Sequence, residues 1–281
     1  MSASPAKKPA AKSPTRSGSS RSRRKGAVFA AGTVAAAVLL GTLSYTATRP
    51  DSSPEVTAED PAADVSVDPS AGVHPELEKL ARRDEGDGLA LGRADAPVVL
   101  IEYADFKCGF CGKFARDTEP ALVEKYVKDG TLRIEWRNFP IYGEESENAG
   151  RASWAAGQQG RFWQFHRAAY AKGAKEKGFA KDRLVALARE AGVRDIARFT
   201  RDLEGAASQR AVAEDSEEAH GLGAAATPSF LINGRPVAGA QPAEVFTAAI
   251  EDAKQRAAAK KTKKQEKQAD GATPSTTGGA P

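Results

Sequence analysis

"VVLIEYADFKCGFCGKF", residues 98–114, contains the only two cysteines of a 281-residue chain, three positions apart. Its first half is a short apolar run rich in Val and Ile, which suits a buried strand. Its second half opens a helix: "CGKFARDTEPALVEKYVKDG" (111–130) carries apolar residues at helical spacing, with Pro120 as a kink and Gly130 as a stop. "LRIEWRNFPI" (132–141) then reads as a second strand. Strand, helix, strand is the unit that builds parallel sheets, so the expected class is α/β.

Working towards the C-terminus, residues 144–220 become polar and Ala-rich with helical periodicity, as at Leu184, Leu187 and Ala188, then Ile196, Phe199 and Leu203. This stretch reads as three or four helices, with Phe162, Trp163, Phe165 and Tyr170 as helix core. "TPSFLINGRPVAGA" (227–240) sets two β-prone runs either side of Asn233-Gly234, the signature of a two-residue hairpin turn. "QPAEVFTAAIEDAKQRAAA" (241–259) closes the domain as an amphipathic helix. The expected order over 89–259 is β-α-β, a helical insertion at about 144–220, then β-β-α.

The net charge of +4 hides a segregation. Residues 1–25 carry eight Lys/Arg and no acid, and residues 254–281 carry seven against two acids, which leaves 26 basic and 35 acidic residues between them. The basic balance belongs to the ends, and the folded part has no basic stripe with interleaved aromatics, which argues against nucleic acid as a partner. Residues 1–25 have the composition of a disordered tail, and the Lys-rich stretch 260–281 reads likewise. Residues 26–48 contain no charged side chain and, at about 1.5 Å per residue, reach the roughly 30 Å of a bilayer core. They read as a single membrane-spanning signal anchor, with a cleavable signal peptide as the alternative. "RSRRK" on the N-terminal flank orients the tail to the cytoplasm and everything after Arg49 to the outside under either reading. Residues 49–88, rich in Pro, Asp and Ser, read as a linker with "HPELEKLARR" as one short helix.

Four readings compete for the cysteine pair. A structural zinc site needs about four N or S ligands, whereas His74, His166 and His220 are scattered, so no metal is expected. A purely structural disulfide would close a loop of four residues, worth only about 2 kcal/mol in chain entropy. Two inert buried thiols suit a reducing compartment, which the export signal opposes. The remaining reading is catalytic: Cys108 at a helix N-terminus, where free amides favour the thiolate, is the nucleophile, and Cys111, one turn in, resolves it. Lys107 and Lys113 lie close enough in sequence to add to this effect. Glu102 interrupts the strand six residues before Cys108. It is either an ordinary acid at an exposed strand end or a buried carboxyl that relays protons to Cys111.

Taken together, "ADAPVVLIEYADFKCGFC", "GQQGRFWQFHRAAYA" and "ATPSFLINGRPVAGAQP" resemble, in this order, the DsbA-like thiol oxidoreductases of the thioredoxin fold, in their membrane-tethered actinobacterial or Gram-positive style. The resemblance covers about residues 89–255. It implies a thioredoxin fold with a helical insertion between its β-α-β and β-β-α halves, and a redox-active Cys108–Cys111 disulfide needing no other cofactor. It further implies a cis bond at Thr227-Pro228, with both residues against the sulfurs and pairing with substrate backbone. Gly109 and Phe110 replace the Pro-His dipeptide of the strongest oxidants, which leaves the redox direction open. The implied activity is extracytoplasmic thiol:disulfide exchange, expected as an oxidase of reduced exported proteins, recharged by a quinone-linked membrane partner. The linker supplies no dimerisation domain, so a monomer is expected, and reductase or isomerase action is the alternative. The rival from another class is a tethered chaperone holding extended peptides near Pro228, which would have no need of the cysteines.

Overall fold

The computed structural model describes residues 72–270. The expected basic tail, the membrane-spanning segment at 26–48, the linker up to residue 71 and the last eleven residues lie outside the described residues. Among the described residues, no helix is long and apolar enough to cross a membrane.

Five strands form one mixed sheet in the order β1-β3-β2-β4-β5: Ala90–Leu91 (β1), Val98–Ala104 (β2), Leu132–Asn138 (β3), Ser229–Ile232 (β4) and Arg235–Ala238 (β5). β2 and β3 run parallel and fully buried, joined by α1 (Gly109–Asp117) and α2 (Glu119–Leu122). The helix breaks at Thr118, and Pro120 starts the second segment, where a missing N–H costs nothing. β4 pairs antiparallel with β2, and β5 returns through Asn233 and Gly234, whose φ values of 43° and 80° give the left-handed pair that this hairpin turn needs.

Between β3 and β4 lie α3 (Glu144–Gly157), α4 (Phe162–Ala169), α5 (Lys181–Glu190), α6 (Ile196–Glu204) and α7 (Ala206–Gly221). These are five helices where three or four were expected. Gly205, in an extended conformation, parts α6 from α7, and the Ala-rich sequence offers little contrast across that break. The last helix, α8, spans Ala243–Asp270, so the first part of the expected disordered tail at 260–281 is helical. Ala, Lys, Gln and Glu are strong helix formers and extend the helix without an apolar face, and Lys260 bonds the Glu78 carboxylate at 2.7 Å and 2.8 Å.

The pleat sends Val98, Leu100, Glu102 and Ala104 to one face of the sheet, where α1, α4 and α8 pack, and Val99, Ile101 and Tyr103 to the other. β3 carries Arg133, Glu135 and Arg137 onto this second face, all buried. Their need for partners corrects the expected boundary at residue 89. The backbone N–H groups of Arg82 and Arg83 donate to Glu135 at 3.0 Å and 2.8 Å, Arg133 and Arg137 donate to it at 2.9 Å each, and Arg133 also donates to the Asp84 carbonyl. Arg82 in turn pairs with Asp215 at 2.6 Å. The end of the linker is thus a layer of the domain, held by charges that β3 buries.

Burial pushes the Glu135 carboxyl up, but the two amides and two guanidinium groups outweigh it and hold its pKa below the ordinary value. Glu135→Ala, which takes from buried Arg133 its carboxylate partner and leaves buried Arg137 with Glu218 alone at 3.4 Å, should cost about 3–5 kcal/mol in urea unfolding at neutral pH. The Glu135 contribution is present above the ordinary carboxylate pKa and is lost as pH falls through the depressed one, so the gap between mutant and parent should narrow in acid.

Candidate active site

β2 ends at Ala104, and a three-residue turn carries the chain into α1, with Cys108 as the N-cap. Asp105 braces this turn: its carboxylate accepts from the N–H groups of Lys107 and Ile141 at 2.7 Å each and from the Ser146 hydroxyl at 2.7 Å. The Tyr170 hydroxyl donates to the Asp105 carbonyl at 2.9 Å. α4 is thereby tied to the cysteine turn. Gly112 allows the same contact, since a Cβ there would lie 2.8 Å from Nη1 of Arg116 and 3.2 Å from the Tyr170 ring.

Both cysteines are free thiols in this structure, and they are unlike. The Cys111 N–H donates to Cys108 Sγ at 3.4 Å, and Cys108 Sγ lies 3.2 Å from the Thr227 carbonyl. A hydrogen bond from the Cys111 thiol, opposed by burial and reinforced by neighbouring Thr227 and the amides of Cys111 and Phe110, lowers the Cys108 pKa to about 5. Cys111 has no exposed surface. Its burial above all, then the hydrogen bond that it gives Cys108 and the charges of Cys108 and Glu102, raise its pKa well above the ordinary thiol value. Lys107 and Lys113 were expected to help stabilise the thiolate, but they are paired elsewhere, with Glu145 at 2.8 Å and Asp117 at 2.7 Å.

Glu102 settles on the buried alternative, with no exposed surface and neither oxygen bonded to a protein group. In the register of the sheet it lies between Trp136 of β3 and Phe230 of β4, on the face that α1 covers. Burial, followed by the charges of Glu119 and Cys108, drives its pKa well above the carboxylate range, which favours the protonated form. The Thr227-Pro228 bond is cis, and Thr227 is buried against the sulfur of Cys108. Phe110 is 67% exposed and Tyr142 51%, and Tyr142 feels the Cys108 charge. Gly109 adjoins a groove of about 150 Å³, lined also by Cys108, Arg116, Tyr170 and Lys175. A nearly buried sulfur, 3% exposed and held towards the thiolate, a protonated sulfur with no exposed surface and a buried acid can exchange disulfides and manage the proton that exchange requires.

Residues 84–252 match the profile of the family described as thioredoxin. The probable disulfide bond formation protein D of Bacillus cereus is 31% identical over 165 residues, covering 54% of this chain and 76% of that protein. This chain belongs to the DsbA-like thioredoxin family. Among solved structures, the DsbA-like domain is similar to a thioredoxin-like oxidoreductase from Silicibacter pomeroyi, with a TM-score of 0.54, 29% identity and coverage of 61% of this chain and 94% of that one. It also shares its fold with oxidised BdbD from Bacillus subtilis, at a TM-score of 0.56, 23% identity and the same coverage. The DsbA-like chain is a thiol:disulfide oxidoreductase with the expected helical insertion.

Sequence reasoning passed over Glu119, His166, Tyr142 and Asp105. Glu119 left a signal, since it stands two turns after Cys111 on the buried side of the helix. Alkylation of the reduced DsbA-like domain by iodoacetamide should rise with a midpoint near pH 5 and modify Cys108, while Cys111 resists into alkaline solution. A midpoint near the ordinary thiol value of about 8.5 would contradict the thiolate geometry.

Proposed function

We propose that this protein is an extracytoplasmic, membrane-anchored oxidase that passes the Cys108–Cys111 disulfide to reduced exported proteins. The observation that carries the reading is the inequality of the two sulfurs, with Cys108 at a helix N-terminus accepting hydrogen bonds and Cys111 sealed beneath it. Cys108 gains as a thiolate only when the pair is reduced. That stabilisation is present above the ordinary thiol pKa and is lost only as pH falls through about 5, so at neutral pH it favours the dithiol and makes the disulfide the form to give away.

A client thiolate attacks Cys108 Sγ, the Cys108–Cys111 bond breaks, and its electron pair leaves on Cys111, which takes a proton held by Glu102. A second client thiolate then attacks the client sulfur of the mixed disulfide and expels Cys108 as a thiolate. The client is oxidised by two electrons and the protein is reduced by two, with no other cofactor. Thr227 and Pro228 hold the client backbone across from Cys108, while exposed Phe110 offers an apolar contact beside the groove that Arg116 and Lys175 line. A quinone-linked membrane protein restores the disulfide. Residues 26–48 anchor the protein with its domain outside the cell, and it acts as a monomer.

Cys108→Ala should abolish oxidation of a reduced, cysteine-containing client, and Cys111→Ala, given a client that carries a disulfide, should trap a mixed disulfide between Cys108 and one client sulfur, the other client sulfur leaving as a thiolate, which gel electrophoresis resolves without reductant. Full client handling by Cys108→Ala would instead favour a peptide-holding chaperone.

A further inference from the structure

Beneath the cysteines lies a buried polar cluster that the exchange described above uses only in part. Five polar atoms there have no hydrogen-bond partner in the protein: both oxygens of Glu102, Oε2 of Glu119 and both ring nitrogens of His166. They are brought together by three elements. Glu102 stands opposite Trp136 in the sheet, the His166 ring from α4 packs edge-on to the Trp136 ring with centroids 5.1 Å apart, and His166 Nε2 lies 3.7 Å from Glu119 Oε2. Glu119 is close enough to Glu102 for its charge to act there.

The pair of His166 and Glu119 is not a salt bridge. Burial, aided by the Arg167 charge, pushes the His166 pKa down to about 3, and burial, opposed by Arg167, pushes Glu119 up to about 8. At neutral pH both are uncharged, so each can donate and accept. The groups facing this cluster are Glu102 from β2, Cys108 and Cys111 from α1, and Arg167 and Tyr170 from the end of α4, while β3 turns its charged residues to the opposite face. Glu119 keeps 5% of its surface exposed, next to exposed Arg167. It alone of the three reaches from the interior to solvent.

We propose that Glu119, turned inward by its contact with His166, is the outer station of a proton path that serves Cys111 through Glu102. The inference rests on the exchange reading given above. When the Cys108–Cys111 bond breaks, the Cys111 thiolate takes the proton of Glu102, Glu102 takes that of Glu119 through water bridging their unpartnered oxygens, and solvent restores Glu119. One proton moves from solvent to Cys111 for each disulfide opened, and the order reverses when the disulfide forms again. Without the second station, Glu102 would stay a buried anion after the first transfer and oppose the next turnover.

The test is stopped-flow reduction of the oxidised full chain by dithiothreitol from pH 5.5 to 9, in parent, Glu119→Gln and His166→Phe. The parent rate should carry a limb that falls as pH rises through about 8. Glu119→Gln should be at least about tenfold slower at pH 7 and should lack that limb, with Cys108 alkylation unchanged. His166→Phe, which suits its aromatic surroundings, should weaken the limb although Glu119 is present. Rates within about twofold of the parent at every pH, with only the melting temperature moved, would overturn the path and leave Glu119 a packing residue. Should Gln fail to fold, Glu119→Ala carries the test through rescue: restoration of the rate by added formate supports the path, and indifference to formate overturns it. A parent chain that does not exchange with dithiothreitol at all would refute the exchange reading itself, a result distinct from failure of the path.

Discussion

The structure turns on a carboxyl with no partner in the protein, Glu102, placed in the middle of a sheet and under a helix. Burying a lone carboxylate costs more than a domain of this size can spare, so burial drives the Glu102 pKa well above the carboxylate range and favours its protonated form. Cys111 lies beside it and is equally cut off from water, so it too is held protonated. Only Cys108, one turn earlier at the helix N-terminus, has donors aimed at it and can ionise. The hydrogen-bond donors at the helix end and their scarcity deeper in therefore make two chemically identical residues unlike, one held towards the thiolate and one held as the thiol.

The two faces of the sheet solve opposite electrostatic problems. On the cysteine face, charge is suppressed: Glu102, Glu119 and His166 are all uncharged at neutral pH because nothing compensates them. On the far face, charge is kept and paired, with Glu135 surrounded by two guanidinium groups and two amides. The paired face fixes the segment that precedes the first strand and gives the domain a rigid back. The unpaired face favours the uncharged forms of its groups. A single strand, β3, contributes to both, alternating Trp136 inward with Arg133, Glu135 and Arg137 outward.

What the sequence made legible was local. The Cys-x-x-Cys spacing, the apolar strand before it and the Asn233-Gly234 turn each declare themselves within a few residues, whereas the cis bond at Thr227-Pro228 followed only from the family resemblance. The charged alternation of β3 was visible as well, but its partners, the amides of Arg82 and Arg83, lie some fifty residues away and read as linker. Glu119 and His166 failed to stand out for the same reason. Each looks like an ordinary residue on its own helix, and only the register that puts Trp136 between His166 and Glu102 gives them a shared interior. At the other end, the Lys-rich stretch after Lys260 lacks an apolar face, and the helix there follows from backbone propensity carried on from α8.

The central claim is that the protein's own environment makes the Cys108–Cys111 disulfide the less stable form. The most direct measurement is the reduction potential of that couple in the soluble domain, equilibrated against glutathione buffers, where about 30 mV corresponds to a tenfold change in the equilibrium. The account predicts a value towards about −120 mV, that of a strong disulfide donor, whereas a value near about −270 mV, that of a thioredoxin, would contradict it and make the protein a reductant.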